Sequence, residues 1–181
     1  DSWWTFRQCA KERAMVTKER FLQGMTFQQY LDQMGTNKEK FMEFLREVKI
    51  RPEDREALKK LGKKLNVLVI TEDWCGDALY NVPVFAKLVE GNPNVEMRVF
   101  LRDKNPDLMD QYLNQGIYRS IPVFAFFDEH MNEIARFIER PPKVTEVVEK
   151  KMLEVRRALR TEHLEEWRQA VVDEVRGLLK A

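Results

Sequence analysis

The 181-residue sequence is poor in residues that interrupt or cross-link a chain: seven glycines, seven prolines, two cysteines and two histidines. So little glycine and proline argues against long structureless linkers. Two cysteines cannot make a disulfide framework, which favours a reducing compartment and predicts a cytoplasmic location. His130 and His163 fall in a predicted hairpin turn and a predicted terminal helix, and neither has a cysteine at zinc-ligand spacing, so no metal is expected. An excess of one charge is also missing. There are 31 basic and 30 acidic side chains, and the net +1 gives no electrostatic reason to expect nucleic acid or an anionic membrane as partner. No apolar run approaches the roughly 18 residues that span a bilayer. Runs such as Val67 to Ile70 are strand-sized. The opening Asp1-Ser2-Trp3-Trp4 lacks the apolar segment of a signal peptide and lacks an initiator methionine, which leaves a removed leader open. Glycine-rich phosphate loops and the G-x-S-x-G elbow are absent from the sequence.

What remains is ample core material: 44% hydrophobic residues, including eleven Phe, eight Met and four Trp. The chain divides into three zones. Residues 1–63 read as a helical N-terminal extension. Its first helix closes at Gly24. Thr26 with Gln29, and Thr36 with Glu39, each fit a capping box before an apolar stripe. Pro52, with Glu53 and Asp54, opens a further helix that Gly62 ends. Residues 64–140 change period and read as an α/β core. Predicted strands cover residues 65–71, 95–101, 122–127 and 133–138. Helices are predicted over residues 75–90 and from Asn105-Pro106 through Leu113, the latter stopped by Gly116. Residues 141–181 read as a C-terminal helical segment packing on the rest. Val148, Met152, Val155 and Leu159 form one stripe, and Leu164, Trp167, Val171, Val175 and Leu178 another. The five-residue step from Leu159 to Leu164 breaks the phase and predicts a bend near Thr161.

The chemistry-bearing stretch is Thr71-Glu72-Asp73-Trp74-Cys75-Gly76-Asp77-Ala78, between a predicted strand and a predicted helix. A cysteine at a helix start faces free N–H groups and the positive end of the helix dipole, which favour its thiolate. A thiolate is the nucleophile of disulfide exchange. Asp77 works the other way, since a negative charge beside the sulfur raises its pKa. Farther on, Ser120-Ile121-Pro122-Val123 puts a proline at a strand start, where it is tolerated and where cis bonds occur.

These residues resemble the thioredoxin family. Trp74-Cys75-Gly76 matches the family's W-C-G, Pro83 falls where its motif helix carries a kinking proline, and Ile121-Pro122 falls where its cis-proline loop lies. The order of elements agrees as well. The resemblance implies a thioredoxin-like fold, a central mixed sheet of about four strands flanked by helices, with helical additions at both ends. There are departures. Ala78 stands where the C-x-x-C motif has its second cysteine, Val69 stands where many members hold a buried Asp, and the family's first strand has no evident counterpart.

The resemblance implies two readings. In the first, Cys75 is a monothiol nucleophile acting on a protein disulfide or a glutathione mixed disulfide, with no cofactor beyond glutathione as co-substrate. Trp74, Gly76, Asp77, Ala78, Ile121 and Pro122 then line the site, with Ile121 pairing its backbone to an extended substrate. Arg119 could hold a carboxylate or stabilise the thiolate; its alternative is a solvated surface charge. Tyr118 and Arg140 lie in neighbouring loops, and Glu72 and Asp73 either tune the thiol or are solvated. In the second reading the fold is a catalytically silent binding or scaffold module. Cys9 is either a distant resolving thiol or a helix residue near Trp4 and Met15.

Overall fold

The structure is a computed structural model that describes residues 16–179. Cys9 lies outside the described residues.

The strand β1 (Leu65–Thr71) is apolar or β-branched at every position but Asn66, and it becomes an inner strand of a four-stranded sheet. The order is β2-β1-β3-β4, with β2 Val95–Leu101, β3 Val123–Phe127 and β4 Glu133–Ile138. β1 pairs with β2 in parallel and with β3 antiparallel, and β3 pairs antiparallel with β4. A parallel pair needs a crossover, here the helix α5 (Gly76–Val89) between β1 and β2. Successive strand residues point to opposite faces, so β1 feeds two cores. Leu68 and Ile70 join Phe100, Val123, Ala125 and Phe127 on one face. Val67 and Val69 join Val99, Leu101, Phe124 and the Ala78, Leu79 and Val82 side of α5 on the other. Val67, Leu68, Val69 and Ile70 are all fully buried.

The N-terminal helices complete both cores. Helix α1 (Lys18–Leu22) sends Phe21 to the first face. Helices α2 (Phe27–Gln33) and α3 (Lys38–Glu47) send Tyr30, Leu31 and Phe41 to the second. Helix α4 (Pro52–Lys60) buries no residue fully. Thr26 caps α2 with the expected reciprocal box: Gln29 N–H donates to Thr26 Oγ1 and Thr26 N–H donates to Gln29 Oε1. Between α1 and α2, Met25 makes a single antiparallel bridge with Val99, using both of its backbone groups (2.9 and 2.8 Å). Among the described residues, that bridge is what pairs with the free edge of β2.

Two sequence expectations are corrected. Thr36 and Glu39 form no capping box. The N-cap of α3 is Asn37, in left-handed conformation (φ 57°) without a side-chain cap, because the Thr36 backbone N–H is used elsewhere, on Asp73. The helix expected to run to Leu113 is only α6 (Pro106–Met109), followed by turns that carry the chain to the Asn114–Tyr118 bridge. Ile121-Pro122 is a cis peptide bond, and β3 begins at the next residue.

The chain resolves into two compact units, divided after Arg140. In the second, helix α7 (Pro142–Thr161) and helix α8 (Leu164–Leu179) are separated at Glu162-His163, where the five-residue step places the break. Thr161 Oγ1 bonds back to the Arg157 carbonyl (2.9 Å) as α7 ends.

Gly24 is required by packing. A Cβ there would lie 2.6 Å from Phe100 Cε2 and 2.8 Å from Arg98 Cβ. Gly24→Ala should therefore cost about 1–3 kcal/mol of stability, read from the urea midpoint at unchanged slope. Gly76→Ala meets no atom within 4 Å and should leave the midpoint within about 0.5 kcal/mol.

Candidate active site

Cys75 is the N-cap of α5, with extended backbone (φ −78°, ψ 121°), and its carbonyl accepts the first helical bond from Leu79 (3.1 Å). The chain reaches this point because β1 ends at Thr71 and a tight turn follows, closed by Cys75 N–H to the Glu72 carbonyl (3.3 Å). The sulfur is half-buried and packs against both core clusters, since it sits at the sheet end where the two faces meet. Its thiol donates to the Ile121 carbonyl at 3.5 Å. That contact joins the motif to the proline loop, 46 residues away in sequence.

The thiol pKa is raised. Burial is the main cause, and the Asp77 carboxylate adds to it. The Ala78 and Asp77 N–H groups at the helix start pull it down, as does the charge of Arg102, but they do not prevail. The pull of the helix-start N–H groups expected from the sequence is present and is outweighed by desolvation.

Of the residues expected to line the site, Trp74 is 45% exposed, beside the cysteine in the turn. Gly76 is exposed at the helix start and Asp77 half-buried. Ala78 is 1% exposed, so the place of a second cysteine is core. Ile121 and Pro122 are buried, with the Ile121 carbonyl turned to the sulfur. Arg119 holds the Asp110 carboxylate at both oxygens (2.8 and 2.9 Å), a surface pair with its guanidinium already committed. Tyr118 is exposed. Arg140 bonds Asp77 (2.9 Å) and Glu139 (2.5 Å). Its charge works against the burial that raises the Asp77 pKa.

Glu72 and Asp73 turn out to be tethers. Glu72, 7% exposed, accepts the Asp103 N–H at 2.8 Å, and burial raises its pKa. Asp73 Oδ2 accepts the N–H groups of Gly35 (2.8 Å) and Thr36 (3.0 Å).

Two contributors escaped sequence reasoning. Arg102 stacks on the Trp74 ring (4.7 Å to the centroid), and its charge favours the Cys75 thiolate. Parallel pairing of β1 and β2 puts Leu101 level with Thr71, so residue 102 emerges level with the motif turn. That pairing was the available signal. Tyr30 is fully buried, which raises its pKa well above the phenol range. Its hydroxyl and that of Thr71 lie close enough for Thr71 to oppose this rise, yet neither reaches a partner at normal hydrogen-bond geometry. The described residues contain no cluster of potential metal ligands, and none of their helices is long and apolar enough to cross a membrane.

A four-stranded mixed sheet, a motif cysteine at a helix N-terminus and a cis-proline loop against its sulfur define a thioredoxin-like protein. The family model described as Thioredoxin matches residues 24–157, and the chain belongs to that family. Among solved structures it is similar to a protein of unknown function from Pseudomonas aeruginosa, at 20% identity and a TM-score of 0.64, covering 89% of this chain and 99% of that one. It is also similar to an HIV epitope scaffold, at 23% identity and a TM-score of 0.61, covering 70% and 79%. Both likenesses concern the fold. A search of curated proteins gives no match.

Because burial raises the thiol pKa, alkylation of Cys75 should have a pH midpoint above the ordinary value of about 8.5. Arg102→Gln removes a cation that favours the thiolate and should move that midpoint further up. Asp77→Asn removes an anion that opposes it and should move it down. Rates of iodoacetamide labelling against pH measure all three.

Proposed function

We propose that the protein carries out thiol–disulfide exchange of the monothiol type, with Cys75 as nucleophile. The observation that carries this reading is the half-buried sulfur at the start of α5, bonded to the carbonyl that precedes Pro122. There the sulfur is reachable and lies beside a backbone edge to which an extended peptide can add.

The Cys75 thiolate attacks one sulfur of a substrate disulfide. A new S–S bond forms, the old one breaks, and the departing sulfur leaves as a thiolate that takes a proton from solvent. Ala78 has no sulfur to attack the mixed disulfide. In the monothiol route an external thiol, for which glutathione is the candidate, then displaces Cys75 and restores its thiolate. The substrate is a protein disulfide or a glutathione mixed disulfide. The raised pKa keeps most of the thiol protonated near neutrality, but a more basic thiolate is intrinsically more nucleophilic, so exchange gains strongly with pH.

The same raised pKa, with a wholly buried Ala78, favours a second reading: a thioredoxin-fold binding module without turnover. Reduction of a glutathionylated peptide decides between them. Exchange predicts glutathione-dependent turnover, a Cys75–glutathione adduct by mass spectrometry, and loss of both in Cys75→Ser. A wild-type rate no higher than that of Cys75→Ser, at any glutathione concentration, overturns the proposal.

Ala78→Cys supplies a second thiol three residues along the helix, within the roughly 4.4–6.8 Å Cα spacing of a disulfide. It should reduce insulin disulfides with a dithiol reductant at least about tenfold faster than the wild type, since the mixed disulfide is resolved internally.

A further inference from the structure

We infer that Asp73 is a positioning residue for the Cys75 turn, and that through it residues 35–37 of the N-terminal helical segment form part of the site. The inference deepens the exchange reading and rests on it. Three consecutive residues bond to Asp73. Gly35 and Thr36 donate their N–H groups to Oδ2 (2.8 and 3.0 Å), and Asn37 Nδ2 donates to the Asp73 carbonyl (3.1 Å). The corner between α2 and α3 is shaped for this. Met34 is extended (φ −59°, ψ 134°) and Asn37 left-handed, so the N–H groups of the two residues between them converge on one carboxylate oxygen. Hydrogen bonds to a charged carboxylate are among the stronger ones.

The grip is two-sided. On the other flank Glu72 holds the Asp103 N–H, in the short 3-10 turn that follows β2, and within the same N-terminal segment Tyr30 is fully buried. Residues 72–74 are thus fixed between two separate parts of the chain. The sulfur that follows is held half-buried and facing the Ile121 carbonyl. Releasing the Asp73 side should have two opposite effects on Cys75. The sulfur gains water, so the burial that raises its pKa weakens and a small alkylating agent reacts more readily. The sulfur also loses its alignment with the Ile121 edge, so an extended peptide disulfide reacts less readily. A simple loss of stability would not split these readouts. The contacts Asp73 makes with residues 35–37 are all hydrogen bonds, through one carboxylate oxygen and its own carbonyl.

The test compares full-length wild type, Asp73→Ala and Asp73→Asn, at a temperature where circular dichroism shows each folded. One readout is the pH midpoint of iodoacetamide labelling of Cys75. The other is the rate of adduct formation with a glutathionylated peptide. Asp73→Ala should lower the midpoint by about half a pH unit and slow the peptide reaction about tenfold. Asp73→Asn keeps an acceptor oxygen while losing the charge, and should stay within about threefold of wild type on both. The inference fails if Asp73→Ala leaves both readouts unchanged or moves both reactivities the same way, or if Asp73→Asn matches Asp73→Ala. Should Asp73→Ala not fold, Asn37→Gly removes only the bond to the Asp73 carbonyl and tolerates the left-handed backbone; unchanged readouts there also overturn the inference. If wild-type Cys75 alkylates but exchanges with no disulfide, the exchange reading fails and the labelling midpoints still decide the role of Asp73.

Discussion

Burial of β1 on both faces is the constraint from which the site follows. Four consecutive apolar residues, Val67 to Ile70, are divided between two cores by the strand's alternation, each contributing about 2 kcal/mol of burial. This strand therefore cannot slip by a residue without exchanging its partners on both faces. Its C-terminal end is fixed in place, and so is whatever comes next. Cys75 comes next. Because the sheet ends there, Cys75 packs against both cores and yet stays partly exposed.

The electrostatics of the sulfur are a contest between a helix start and a partly dry surrounding. Amides of Asp77 and Ala78 and the Arg102 guanidinium favour the anion; burial and Asp77 oppose it and win. A thiol tuned in this direction stays mostly protonated and reacts through a small, strongly nucleophilic fraction. The nearby acidic residues each have partners of their own. Glu72 and Asp73 bind backbone amides on opposite flanks of the turn, and Asp77 is paired with Arg140. The N-terminal helices therefore do more than cover a sheet face, since their corner at Gly35-Thr36 is bonded to the motif itself.

The short apolar run of β1, the Thr26–Gln29 cap, the proline start of α6 and the break after Thr161 depend on near neighbours, and all are legible in the residues. The capping box expected at Thr36 failed for a tertiary reason: Asp73, 37 positions away, took the Thr36 N–H. Arg119, chosen by loop position, is committed to Asp110, whereas Arg102, overlooked, stacks on Trp74. Both arginines hold a carboxylate, Arg119 that of Asp110 and Arg102 that of Asp103; Arg102 lies at the motif because β2 pairs with β1 and delivers it there, which is a matter of packing.

By itself the sequence determined the class of fold, through strand and helix periods with their caps, and it determined that a lone cysteine begins a helix after the central strand. Those features are local, written in patterns of a few residues. Only the tertiary structure decided how dry the sulfur is, which carbonyl it meets, and which distant amides hold its turn. Burial, pairing and charge at one atom sum over residues brought together from Gly35, Arg102 and Ile121, and no local pattern contains that sum.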